Sequence, residues 1–213
     1  MKFLTALTFL VAGALAAPTD LEARQIGGSD TSNDFLESGC KGYVMIYARA
    51  SSESGNIGSS LGPDLRTRLR IRYPGNFAMQ GIDYPAALAD NFLPRGTTAQ
   101  AISDTVNMIT RVANDCPNAK IFAGGYSQGT AVIAAAVEDL PSAIRNRVNA
   151  IVLFGYTKNK QNNEGVPNYP SNKLKIYCNF GDLVCTGSLV ITAAHFTYGS
   201  DVSNAVSFLA SKV

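Results

Sequence analysis

The chain of 213 residues has no tryptophan, one histidine and only 16% charged residues. A lone histidine excludes a His-rich metal centre. Neither sign of charge dominates: 18 Lys+Arg against 16 Asp+Glu leave a net charge of +2, too little to grip nucleic acid or an anionic membrane. There is no Asn-x-Ser/Thr triplet, so N-glycosylation is not expected. Repeats and low-complexity linkers are absent. Beyond the N-terminus no apolar run is long enough to span a bilayer. What is present is a hydrophobic share of 46%, enough to bury a core and to exclude intrinsic disorder. The 19 glycines suit a fold with many tight turns.

The first residues read as an address. Met1-Lys2 is a short positive start, Phe3 to Leu15 is apolar, and Ala14-Leu15-Ala16 offers a small-x-small cleavage site. The run is too short for a comfortable membrane span, and Pro18 and Asp20 end it. Residues 1–16 are therefore expected to be a signal peptide. Residues 17–24, ending at Arg24, are expected to be a propeptide, leaving one domain over 25–213. The product is expected outside the cell, without membrane insertion.

Along that domain, continuous apolar runs at Tyr43–Ala48, Lys120–Gly124, Ala150–Phe154 and Leu174–Cys178 read as strands buried on both faces, with a shorter one at Phe77–Gln80. Between them lie helical patterns. Leu61, Leu65 and Leu69 recur at four-residue spacing, with Pro63 in the first turn. Ile102, Val106, Ile109 and Val112 form an apolar stripe, and Thr97 to Gln100 has the spacing of a capping box. Thr130–Leu140 is Ala-rich and Pro141 stops it; Asp201–Lys212 closes the chain, with Asp201 as its expected cap. Alternating strands and helices predict an α/β three-layer sandwich around a mainly parallel sheet of about five strands. Arg66, Arg68, Arg70 and Arg72 read as a solvated face rather than an anion site.

In an exported chain, four cysteines predict disulfides, with three possible pairings. Cys40 and Cys116 each precede a strand, hence share one edge of a parallel sheet. Cys178 lies at the far end of its own strand, on the opposite edge. Strands of about five residues separate the edges by about 17 Å, whereas bridged Cα atoms lie within about 7 Å. Cys40–Cys116 and Cys178–Cys185 are therefore expected.

Gly125-Tyr126-Ser127-Gln128-Gly129 matches G-x-S-x-G, with the required strand before and helix after. In that turn the hydroxyl of Ser127 is presented at the carboxyl edge of the sheet, beside the partial positive charge of a helix N-terminus. A serine needs a base, and His195 is the one histidine. Asp182, enclosed by the Cys178–Cys185 loop and lying at the same edge, is the expected partner of the imidazole. Asp201 is the alternative. The order Ser, Asp, His follows the α/β-hydrolase pattern. The N–H of Gln128 and the loop Arg49 to Asn56, with Ser51, are expected to bind an oxyanion.

The chain resembles the cutinases, secreted fungal serine esterases of the α/β-hydrolase fold. The resemblance rests on Tyr47 to Asn56, on Asp90-Asn91 with Leu93 to Thr97, and on Gly124 to Thr130. It continues through Leu153 to Lys158, Cys178 to Cys185 and His195. It implies Ser127 as nucleophile, His195 as base and Asp182 as its orienter. It also implies an oxyanion hole of Ser51 and Gln128 with Asn91 holding the Ser51 side chain, and the same two disulfides. Leu88 on one loop and Leu189, Val190 and Ile191 on another would flank the site, next to Tyr126. Ala50 stands where relatives often have Gly, and Ala194 where they often have Pro. A left-handed Ala50 would cost about 1–2 kcal/mol.

A chain of this size leaves little room for a large lid. An open, aliphatic-rimmed serine suits insoluble polyester such as cutin as well as small soluble esters. No metal or organic cofactor is expected, nor a nucleic-acid partner, and a monomer is expected. The alternatives are an acetylxylan esterase on the same fold and a non-catalytic surface-binding protein on a hydrolase scaffold.

Overall fold

The computed structural model describes residues 28–213. The expected signal peptide, the propeptide and the start of the mature chain near Gln25 lie outside the described residues. In chain order the elements are α1 (Asp34–Ser38), β1 (Tyr43–Ala48), α2 (Leu61–Arg72), β2 (Phe77–Gly81), α3 (Ala99–Asp115), β3 (Lys120–Tyr126), α4 (Gln128–Asp139), α5 (Ser142–Arg145), β4 (Val148–Phe154), β5 (Leu174–Tyr177) and α6 (Val202–Ala210). Short 3-10 turns fill several of the connections.

The strands form one parallel sheet in the order β2-β1-β3-β4-β5. Alternate strand residues face opposite layers, and both faces are dry. Val44, Ile46, Ile121, Ala123, Ile151 and Leu153 pack with Ile109 and Val112 of α3 and Val132 and Val137 of α4. Met45, Tyr47, Phe122, Val152 and Phe154 pack with Leu65 and Leu69 of α2 and Val202, Ala205 and Leu209 of α6. This explains the unbroken apolar runs: period-two alternation is lost when each face has its own core. The result is an α/β-hydrolase-type sandwich, as the sequence predicts.

Several local expectations are corrected. Helix α3 is capped by Thr98, whose Oγ1 accepts the N–H of Ala101 at 3.1 Å, while Gln100 turns to Asp104. The Thr97 capping box therefore does not form. Asp201 makes no capping bond with its side chain; its carboxylate accepts the Asn179 amide instead. The α2 arginines are not simply solvated: Arg66 and Arg70 both pair with Asp34, and Arg68 with Asp64.

Strand β1 is the sheet's switch point, with its successor β2 on one side and β3 on the other. Loops leaving the carboxyl ends of β1 and β3 diverge there, opening the crevice where α/β sheets bind ligands. Both cysteine pairs are bridged as expected, Cys40–Cys116 and Cys178–Cys185, with Cα separations of 5.5 and 5.9 Å.

Candidate active site

Ser127 is the single residue between β3 and α4. Its backbone, at φ 51° and ψ −121°, occupies a region that side-chain-bearing residues seldom adopt. The turn is fastened at both ends: the Ser127 N–H donates to the Phe154 carbonyl at 2.9 Å, and the Thr130 hydroxyl donates to the Ser127 carbonyl at 2.5 Å. A Cβ on Gly125 would stand 2.5 Å from the Gly129 carbonyl, and one on Gly129 would stand 2.0 Å from the Ala48 carbonyl oxygen. The two motif glycines are thus demanded by the closeness with which α4 crosses β1 and β3.

Asp182 and His195 reach the same edge on loops after β5. Asp182 precedes a 3-10 turn at Leu183–Thr186 that contains Cys185, and its Oδ1 accepts the Val184 N–H at 3.0 Å. His195 sits in a second such turn, Ala193–Phe196, and its carbonyl accepts the Tyr126 hydroxyl at 2.7 Å. Burial pushes the Tyr126 phenol well up, so it stays a neutral donor. The three expected residues meet. Ser127 Oγ lies 2.9 Å from His195 Nε2, and His195 Nδ1 lies 2.8 Å from Asp182 Oδ2. An ionised carboxylate only accepts, so Nδ1 carries the proton and Nε2 is left to accept from the serine. All three residues are buried, with Ser127 the most exposed at 8%. Asp201, the alternative carboxylate, is instead bound to Asn179.

The loop after β1 brings Ser51 to the site. The Asn91 amide donates to Ser51 Oγ and to the Leu88 carbonyl, each at 2.9 Å. Gln128 opens α4, and its side chain donates to the Ala87 carbonyl at 2.8 Å. Ala50 is outside the left-handed region, so its Cβ causes no strain; the positive φ falls on Ser52, at 62°. Glu53, which as a loop acid preceding Ser127 does not fit the order Ser, Asp, His, has a different role. Its carboxylate accepts the N–H groups of Ala50, Ser59 and Ser60 at 2.8, 3.2 and 3.0 Å, folding the loop around one acid. Arg49 completes the clamp, donating to the carbonyls of Glu53 and Tyr84.

These groups open on a cavity of about 500 Å3. Leu88, Asn91, Tyr126, Leu189 and Ile191 line it as expected; Val190 does not line it and is 56% exposed. Phe92 and Phe196, unremarked in the sequence, add aromatic surface to the rim. A larger groove of about 710 Å3, near Glu37, Asp83 and Asp104, contains none of the Ser127, His195 or Asp182 groups. Chemistry, not size, therefore selects the smaller cavity.

A parallel α/β sandwich with a serine on a strained strand-to-helix turn, met by an imidazole and a carboxylate at the sheet's carboxyl edge, defines a hydrolase of the α/β type. The family model described as Cutinase matches residues 39–213. Cutinase 2 of Fusarium vanettenii is 47% identical over 225 aligned positions, covering 100% of this chain and 97% of that protein. Among solved structures, Trichoderma reesei cutinase with a phosphonate inhibitor superposes with a TM-score of 0.78 at 32% identity, over 87% of this chain and 80% of that one. An acetylxylan esterase shares the fold at a TM-score of 0.67 and 23% identity, over 81% of this chain and 99% of that one. The chain belongs to the cutinase family and is accordingly a carboxylic ester hydrolase.

Proposed function

We propose that the mature protein, residues 25–213, is exported and cleaves the esters of cutin and of short acyl chains through an acyl-enzyme. Ser127 is the nucleophile, His195 the general base and Asp182 the group that fixes its tautomer. As Ser127 Oγ attacks the ester carbonyl, its proton passes to His195 Nε2, and the imidazolium then protonates the departing alcohol. The carbonyl oxygen, now an oxyanion, is received by the Gln128 N–H and by Ser51, whose hydroxyl is oriented by Asn91. Water activated by the same imidazole then releases the acid.

The observation that carries this reading is the unbroken chain of contacts from Ser127 Oγ through the imidazole to Asp182 Oδ2, beside a cavity walled by aliphatic and aromatic side chains. The apolar rim favours fatty acyl groups over sugar acetates. The two disulfides support export into an oxidising compartment, and no helix among the described residues is long and apolar enough to cross a membrane. Action as a monomer is part of the proposal.

The test compares wild type with Ser127→Ala on p-nitrophenyl butyrate, then cutin with acetylated xylan. A fall of about 1,000-fold or more is expected for the variant. Acid release from cutin should exceed that from xylan. Equal rates for the two proteins would defeat the catalytic reading, and preference for xylan would defeat the substrate.

A further inference from the structure

Asp182 receives more than the imidazole. Its Oδ2, the oxygen bound by His195 Nδ1–H, also accepts the hydroxyl of Tyr198 at 2.5 Å. Tyr198 lies three residues beyond His195, across the junction of two 3-10 turns, so one stretch of chain delivers both donors to one carboxylate oxygen. The phenol is 1% exposed and its ring is packed edge-on against His195, Tyr126 and Phe154. Its oxygen in turn accepts the Asn179 N–H at 3.2 Å, which leaves the hydroxyl proton for Asp182. Burial and the adjoining Asp182 push the phenol well above the ordinary tyrosine range, so it remains a donor at any working pH.

We propose that Tyr198 is a positioning residue that sets how strongly Asp182 holds a proton on His195, and thereby the pH below which the enzyme loses activity. The inference rests on the roles given above to Ser127, His195 and Asp182. Two donors share one oxygen and compete for the same charge. While the imidazole is neutral, Asp182 carries its full charge and the Tyr198 bond is strongest. Once the imidazole is protonated, that charge is largely matched by the imidazolium, and the phenol bond is worth less. The hydroxyl therefore favours the neutral, active form of His195 and extends activity toward acid.

Other titratable groups surround the pair. Tyr126 at the end of β3 bonds the His195 carbonyl, and Tyr177 at the end of β5 is pushed up to about 12, mainly by burial. Asp201 beside α6 is reached only through Asn179, and Glu53 across the cavity is bound to the Ser51 loop. Neither acid is hydrogen-bonded to Asp182 or His195. Cys178 and Cys185 are bridged and do not titrate.

The experiment is the pH profile of kcat/KM for Tyr198→Phe, which keeps the packed ring and removes the hydroxyl. The acid limb should move up by about half to one pH unit, and the Nδ1 proton of His195 should move downfield in the NMR spectrum as its bond to Asp182 shortens. A second variant, with 3-fluorotyrosine placed at position 198, strengthens the donor and should move the limb the opposite way. It also serves where Tyr198→Phe fails to fold. A limb and resonance that stay at their wild-type positions would overturn the inference, whether or not the plateau rate falls. Failure of the underlying triad reading would look different: Ser127→Ala would retain wild-type turnover.

Discussion

Asn91 and Ser51 sit on separate loops and are joined by one hydrogen bond of 2.9 Å, the Asn91 amide donating to the serine hydroxyl. Because the same amide also holds the Leu88 carbonyl, one side of the proposed oxyanion site and one wall of the cavity are fixed together. Asn91→Ala should lower kcat on p-nitrophenyl butyrate by about 10- to 100-fold, less than the loss of a direct oxyanion donor. KM should change little. Steady-state kinetics with circular dichroism as a folding control decides this; an unchanged kcat would remove Asn91 from the oxyanion site.

The two disulfides should differ in what they protect. Cys40–Cys116 closes a loop of 76 residues and Cys178–Cys185 one of 7. Chain entropy assigns them about 4.5 and 2.4 kcal/mol. Replacing the long bridge by serines should cost more stability, measured by urea unfolding, and leave kcat at 25 °C nearly intact. Replacing the short bridge should cost less stability but lower kcat, because Asp182 lies inside its loop.

Gly129→Ala should be among the most damaging single changes. The added Cβ meets backbone, the Ala48 carbonyl at 2.0 Å, and no side chain can turn away to relieve it. Loss of soluble folded protein, or a drop in Tm of about 10 °C or more, is expected. A variant with wild-type Tm would mean that α4 crosses β1 less closely than described.

Asp34 gives stability a defined acid dependence. Burial raises its carboxyl, but the Arg66 hydrogen bond, the Met79 N–H and the charges of Arg66 and Arg70 together outweigh burial and hold it below its ordinary 3.8. A carboxyl depressed by folding stabilises the protein above its unfolded value, and that contribution disappears as pH falls through the lower folded value. Asp34→Asn should therefore cost about 1–2 kcal/mol at pH 7. Wild type and variant should converge at a second, acid pH below the ordinary 3.8, once the pH has fallen through the lower folded value. Urea midpoints at the two pH values provide the measurement.

Glu53 lies beside the cavity yet does no proton transfer in the proposed mechanism. Glu53→Gln turns one acceptor into a donor facing the Ala50 N–H. The Ser51 loop should loosen, lowering kcat by about 10-fold with little change in KM. A KM effect alone would reassign Glu53 to substrate binding.

Much of this was legible because the two-faced burial of the strands writes itself as uninterrupted apolar runs. The strand at Tyr43–Ala48 matches its expected bounds, and those starting at Lys120 and Ala150 extend by only two residues. The reactive set was legible because a lone histidine and a chain-ordered acid leave few combinations. What was hidden lacks a local signature. Helix α1 has five residues, too few for a period to show. Helix α4 begins two residues earlier than expected because Gln128 and Gly129 read as turn residues. The partner of Arg66 and Arg70 is Asp34, 32 and 36 residues away, so only folding brings them together. The bond of Tyr198 to Asp182 and the loop-anchoring role of Glu53 were hidden for the same reason: a tyrosine or glutamate acquires its role from whichever group it reaches.

The long bridge crosses at the amino ends of β1 and β3, and the reactive groups gather at the carboxyl ends, a strand length of about 20 Å apart. The larger of the two cross-links thus sits at the pole of the sheet opposite to turnover. Heat resistance engineered at the first pole should therefore leave the geometry of the second undisturbed, a strand length being enough for separate sites to act additively.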